Sequence, residues 1–180
     1  MKHEILPVTK QTPELQAVLL RLVPMYCHEW SQYNGIEVDE QGRFAFERYV
    51  PSYWEQDDRR AFLLRATAGD KPRWAGFALL DRDFALSPPA DYAMAEFFVL
   101  HPYRRMGLGL WAALELMRRY QGEWEICRNT ANLASIPFWD RVVNEASGGV
   151  FKVQRNSTAC HYPNGTHGDI FRFRTAEARK

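Results

Sequence analysis

The chain has 180 residues, of which 46% are hydrophobic and 14% aromatic, and a formal charge of +1. That length suits one domain spanning residues 1–180 with a sizeable core, and the composition excludes a disordered chain. The near-zero charge gives no electrostatic ground for a nucleic-acid or membrane partner, and no apolar run nears the roughly 20 residues of a membrane span.

The opening MKHEILPVTK carries a glutamate and lacks a continuous apolar core, so it does not read as a secretory signal. Cys27, Cys127 and Cys160 are odd in number and lack CxxC spacing, which suits a reducing, cytoplasmic setting and structural thiols. Residues 4–7 read as a short first strand. Thr12-Pro13-Glu14 predicts a helix start, with a hydroxyl cap, proline at the first position and an early carboxylate. Leu15, Val18, Leu19 and Leu22 then recur at helical spacing and are expected to face the core. Pro24 is expected to kink or end that helix, and Asn34-Gly35 marks a turn.

Residues 39–56 give a mixed pattern of aromatics around Pro51, read as short helical pieces. "AFLLRA" and "RWAGFALLD" predict an antiparallel hairpin, and "YAMAEFFVL" a further strand ending at His101-Pro102. A helix is expected to start on Gly109, with Leu110, Ala113, Leu114 and Met117 on one face, and to stop near Gly122. "EWEICR" is a strand with Trp124 and Ile126 on one side. Ser135-Ile136-Pro137 opens a last helix that ends before Gly148-Gly149. "VFKVQ" and "IFRFR" close the chain as strands, with a polar loop between them and solvated arginines in the latter. The expected fold class is therefore α/β, a single mixed, largely antiparallel sheet flanked by helices.

The most informative stretch is "HPYRRMGLGLWAALE". A strand, a glycine turn and a helix start make an anion site, because the first helical amides lack intrahelical partners and the macrodipole is positive there. Glycines let phosphate oxygens approach the backbone, and adjacent arginines add charge with suitable geometry. A P-loop is absent. Gly107-Leu-Gly109-Leu-Trp-Ala112 fits the GxGxxA dinucleotide fingerprint, yet Tyr103-Arg-Arg-Met separates it from the strand and too little chain follows for a two-half fold.

Arg104-x-x-Gly107-x-Gly109, preceded by "EFFVL" and "YR", resembles the acetyl-CoA signature of the GNAT family of N-acetyltransferases. Asn132-x-x-Ser135-Ile136-x-Phe138-Trp139 is similar to that family's second motif. The resemblance runs from about residue 61 to residue 151 and is weak before it. It implies splayed central strands, with acetyl-CoA as co-substrate. By that resemblance the backbone of Arg105, Met106, Gly107, Leu108, Gly109 and Leu110 cradles the pyrophosphate, aided by Arg104. Phe98, Val99 and Leu100 present strand backbone to the pantetheine arm, and Asn132 bonds it from the other side.

The implied reaction is N-acetyl transfer to a primary amine by direct attack on the thioester. An alkylammonium with a pKa near 10.4 must first lose a proton, and Glu96 is the candidate base. Its alternative is a strand-end charge paired with an arginine; His101 is a second candidate base. The family's usual thiolate-protonating tyrosine is replaced here by Trp139, whose indole N–H is not a useful acid. The resemblance places substrate choice in the N-terminal helices and closing strands, and the aromatic and acidic residues Tyr26, Glu29, Trp30, Tyr33, Tyr53, Trp54 and Glu55 suit a cationic amine from a small molecule or a peptide.

Two rival readings are kept: a Rossmann-type dinucleotide-binding protein, and a non-catalytic acyl-CoA sensor that Trp139 would suit. No metal is expected, since His28-Glu29-x-x-Gln32 lacks the second histidine of HExxH. Cys160-His161 and His167-Gly-Asp169 read as polar loop residues. No GxSxG elbow is present. Neither nucleic acid nor membrane is expected as a partner, and a homodimer is left open.

Overall fold

The computed structural model describes residues 1–176. Strand β1 (Lys2–Val8) leads into helix α1 (Pro13–Asn34), followed by the short helices α2 (Ala45–Tyr49) and α3 (Ser52–Glu55). Strands β2 (Arg60–Ala68), β3 (Lys71–Asp81) and β4 (Tyr92–Val99) come next, then helix α4 (Leu108–Arg119) and strand β5 (Glu123–Asn129). Helix α5 (Ile136–Ser147) precedes the closing strands β6 (Lys152–His161) and β7 (His167–Arg174). Seven strands are hydrogen-bonded in the order β1-β2-β3-β4-β5-β7-β6. The β1–β2, β2–β3, β5–β7 and β6–β7 pairs are antiparallel, and β4–β5 is parallel at Tyr92↔Trp124 and Ala93↔Glu125. This is the mixed, largely antiparallel sheet with flanking helices that the sequence predicts. No helix among the described residues is long and apolar enough to cross a membrane.

The chain forms two compact units. One comprises Met1–Asp81 and Glu96–Leu108, the other Arg82–Ala95 and the chain from Gly109 onward. In the first, α1 packs on α2 and β3, and α3 on β2 and β3. Helix α1 does not stop at Pro24. It buries Leu19, Leu22, Val23, Tyr26 and Cys27 along one face, whereas Leu15 and Val18 are only half-buried. A proline inside a helix leaves the carbonyl four residues earlier without its donor. Here that residue is Leu20, 38% exposed, so water can satisfy the carbonyl while the buried face holds the helix together. The helix ends at Gly35, whose φ of 71° makes the left-handed cap. Its expected hydroxyl cap is not made: Thr12 Oγ1 bonds back to Thr9, accepting from its amide at 2.9 Å.

The β2–β3 hairpin is tighter than expected, with only Gly69 and Asp70 between the strands. Ala75 is an extra residue in β3, because Leu64 pairs with Gly76 and Arg65 with Trp74. A Cβ on Gly76 would lie 1.9 Å from the Phe98 carbonyl oxygen, so β3 and this part of β4 approach as only glycine permits.

In the second unit α5 packs on β7, and Trp124, Ile126, Phe171 and Phe173 are buried. Helix α4 starts on Leu108 and buries Ala112, Ala113, Leu116 and Met117, a stripe rotated slightly from the expected one. Arg172 is not solvated. Its side chain is 10% exposed and bonds the buried Glu125 at 2.9 Å. The polar stretch before "IFRFR" is mostly strand β6, so Cys160-His161 and His167-Gly-Asp169 lie on β6 and β7 rather than in one loop. No group of three or more ligating side chains gathers among the described residues.

Gly76→Ala forces the Phe98 backbone to move, and overpacking of this kind costs about 1–3 kcal/mol. Thermal denaturation is expected to show a melting temperature lowered by roughly 3–10 °C; an unchanged melting point would contradict the close approach.

Candidate functional site

Two side chains one turn apart on α1, Tyr26 and Glu29, meet partners supplied by β4 and the turn after it. The Tyr26 ring is fixed edge-on by Phe77 at 5.5 Å and Phe98 at 5.7 Å between centroids. Its hydroxyl donates to Glu96 Oε2. Burial pushes the Glu96 carboxyl up to about 7; the Tyr26 hydrogen bond, which favours the charged form, holds it back, and the Asp81 charge adds to the rise. The partner that Glu96 meets is thus a tyrosine hydroxyl, where the alternative expectation is a strand-end pairing with an arginine. Asp81 is buried too, accepting from Tyr53 at 2.8 Å and lying 3.4 Å from Arg59. Burial and the Asp81 charge together push the Tyr53 phenol well up, so it stays protonated.

Glu29 has both carboxylate oxygens on Arg104, at 2.6 Å each. Arg104 also donates from Nε to the Val99 carbonyl at 2.6 Å. The Leu100 amide bonds Ala75 at 2.8 Å, and the Leu100 carbonyl accepts from Tyr103 at 2.9 Å. Three backbone groups expected to face a cofactor arm thus have internal partners. His101 is exposed in the turn, 3.5 Å from Glu29.

Beyond it the chain turns through two residues with positive φ, Arg105 at 60° and Gly107 at 82°. A side chain rarely tolerates that region, and Arg105 accepts it where the turn into α4 demands it. A Cβ on Gly107 would meet nothing within 4 Å, so the backbone there borders open space. Helix α4 begins at Leu108, directly after this turn. A positively charged helix start, unshielded backbone and the exposed Arg105 guanidinium fit a phosphate or diphosphate.

Trp30 and Tyr33 continue the aromatic run on α1. Trp30 stacks on Tyr26 at 6.1 Å, and Tyr33 meets Trp30 edge-on at 5.7 Å. Both are half-buried. Asn132 caps a short 3-10 turn at Leu133–Ser135, its side-chain oxygen accepting from the Ser135 amide at 3.3 Å. Trp139 is half-buried on α5, its ring edge-on to Phe138. Among the cysteines, burial pushes Cys27 up to about 12, which keeps it a thiol. Hydrogen bonding with Cys127 brings the Cys160 thiol down to about 7 against the opposing effect of burial, and Cys160 Sγ lies 3.6 Å from the Tyr162 hydroxyl.

Sequence reasoning placed Tyr26 among the aromatics lining a substrate site, not as the partner of Glu96. It did not register the Glu29–Arg104 pair, which joins positions far apart in the chain. Gly76 could have been noticed, since an isolated glycine inside a strand pattern marks a bulge or a close backbone approach.

The chain matches the sequence profile described as Acetyltransferase (GNAT) family over residues 22–143. No curated protein matches it in sequence. Among solved structures it is similar to an acetyltransferase from Thermus thermophilus, with a TM-score of 0.61 at 16% identity, covering 96% of this chain and 97% of that one. It is also similar to the ribosomal-protein-S18-alanine N-acetyltransferase from Escherichia coli (TM-score 0.52, 17% identity, 99% and 97% covered). An acetyltransferase of the GNAT family from Staphylococcus aureus gives 0.53 at 10% identity, over 96% and 99% of the two chains. At these identities the likeness is one of fold.

Because the Tyr26 hydroxyl favours ionised Glu96, removing it raises the carboxyl pKa further. A carbon-13 NMR titration of Tyr26→Phe is expected to place the Glu96 midpoint above the wild-type value near 7. An equal or lower midpoint would show that the hydrogen bond does not act on the charged form.

Proposed function

Starting from a chain that belongs to the GNAT family of acetyltransferases, we propose that it moves an acetyl group from acetyl-CoA to the nitrogen of a primary amine. One observation carries this reading: a carboxyl raised to about 7 by burial lies on β4, three residues before the end of the strand that leads into the glycine turn.

Acetyl-CoA supplies an activated thioester whose thiol, with a pKa near 8.5, is already a fair leaving group. The backbone from residue 105 to 110 and the Arg105 guanidinium would hold its diphosphate. The strand end at Phe98, Val99 and Leu100 would border the arm, with Asn132 as a further contact. The chain's own task is to prepare the amine. An ammonium cannot attack a carbonyl, and Glu96 in its carboxylate form accepts the surplus proton, directly or through a water. An ordinary carboxylate is a poor base for this. Each pKa unit by which burial raises it brings the transfer about 1.4 kcal/mol nearer to balance.

The acceptor is read as a primary amine of a small molecule or a peptide, drawn by the aromatic run of Tyr26, Trp30 and Tyr33 and by the Glu96 charge. A peptide α-amine, with a pKa near 8, matches a base at about 7 better than a lysine side chain near 10.4. The Escherichia coli neighbour's name specifies an alanine of a ribosomal protein as its target, which makes α-amines a sensible first panel.

Glu96→Gln is expected to lower kcat about 100-fold or more while leaving acetyl-CoA affinity within about twofold. In the wild type, kcat/KM is expected to rise with pH through about 7 as Glu96 ionises. Thiol release against an amine panel, with calorimetry for the coenzyme, measures both; turnover unchanged in the variant would remove Glu96 as the base. Gly109→Glu is expected to abolish coenzyme A binding by repulsion at the helix start. Stabilisation of the wild type by NAD but not by acetyl-CoA in a thermal shift would overturn the proposed activity. Tight coenzyme binding without turnover on any amine would favour a sensor instead.

A further inference from the structure

We propose that Glu29 is a positioning residue for coenzyme binding, acting through Arg104 rather than on the amine. The inference rests on the acetyl-CoA reading above and adds a role for one helix of the fold.

The geometry is a chain of three short contacts. Glu29 takes both guanidinium nitrogens of Arg104 at 2.6 Å, and Arg104 Nε caps the Val99 carbonyl at 2.6 Å. A guanidinium that makes both ends of this arrangement has a fixed plane, and that plane crosses from α1 to the end of β4. Its position is further constrained by Phe98, whose ring centroid lies 5.8 Å from the guanidinium carbon. Arg104 is the residue immediately before Arg105, where the chain enters its left-handed turn with φ of 60°. That conformation is costly for a side-chain-bearing residue, and it persists when its neighbours hold it. The Glu29–Arg104–Val99 connection is such a hold. It ties the backbone on one side of the turn to α1, so the amides that follow are set before any ligand arrives.

The same arrangement separates two roles that composition alone merges. Glu29 was an attractive cation site for a substrate amine, yet both of its oxygens already face a guanidinium. Arg104 was an attractive phosphate ligand, yet its three donors at 2.6 Å are directed at Val99 and Glu29. The phosphate-facing charge is left to Arg105. Spacing on α1 gives the connection a further property. Tyr26, which bonds Glu96, and Glu29 are one turn apart, so a single helix face holds both the proposed base and the entrance to the coenzyme turn.

The test is a binding and kinetic comparison of wild type, Glu29→Gln, Arg104→Lys and the double variant. Glu29→Gln removes the charge and keeps the shape. Arg104→Lys keeps the charge but cannot span two carboxylate oxygens and a carbonyl. Each single change is expected to weaken coenzyme A binding about tenfold by calorimetry, with kcat at saturation and the KM for the amine within about twofold. Because the residues act in series, the double variant is expected to match either single one within about twofold, a coupling of about 1.4 kcal/mol. Melting temperatures are expected to stay close to wild type, since a partly exposed pair contributes little to stability.

A raised amine KM with unchanged coenzyme affinity in Glu29→Gln would overturn the inference in favour of direct substrate contact. Affinity losses that multiply to about a hundredfold in the double variant would overturn the serial arrangement. Wild type that binds coenzyme A, with Glu29→Gln binding equally well, would sink this inference alone. Wild type that binds no coenzyme A would sink the acetyl-transfer reading and this inference with it.

Discussion

The physical centre of the first unit is a carboxyl group held in a place where carboxylates are uncomfortable. Glu96 sits on β4 with its carboxylate on the hydroxyl of Tyr26, whose ring forms an aromatic wall with Phe77 and Phe98, and desolvation lifts the carboxyl to about 7. The Tyr26 hydroxyl keeps that rise in check, since a donor bonded to the charged form stabilises it. The balance matters. Full desolvation without a donor would leave the group neutral at working pH, while an arginine in place of tyrosine would hold it charged and acidic.

The wall exists because α1 survives its proline. A helix that ended at Pro24 would carry neither Tyr26 nor Glu29. Tertiary burial of Leu22, Val23, Tyr26 and Cys27 outweighs one missing hydrogen bond whose orphaned carbonyl belongs to an exposed residue. The strand opposite is shaped with similar economy. Ala75 bulges out of β3, and Gly76 lets the Phe98 carbonyl approach to where a methyl group would stand. Packing on one side and absent side chains on the other therefore fix the same short piece of β4.

The cation and anion chemistry divides along the same strand. Upstream, the buried Glu96 carboxyl meets the Tyr26 hydroxyl beside a cluster of aromatic rings, an environment suited to an amine. Downstream, a turn with two left-handed residues opens onto the start of α4, an environment suited to phosphate oxygens. Between them Arg104 is occupied on three sides by protein acceptors. Residues of opposite charge in one neighbourhood would otherwise compete for the same ligands, and internal pairing of Glu29 with Arg104 removes that competition.

The sequence by itself determined the order of the elements, the sheet class and the location of the glycine turn. Those are local matters: helical spacing, strand alternation, the φ freedom of Gly107 and the family-like spacing from Arg104 to Gly109 all act within a few residues. The family resemblance also drew attention to Glu96, which lies just before the strand end expected to border the cofactor. Only the tertiary structure decided what that carboxylate touches, that Pro24 is passed over, that Arg172 is buried on Glu125, and that Glu29 belongs to Arg104. Each of these is a contact between positions dozens of residues apart, or a local preference overruled by such contacts. A sequence read along its length states what each residue prefers; which preference prevails is settled by the free energy of the packed whole.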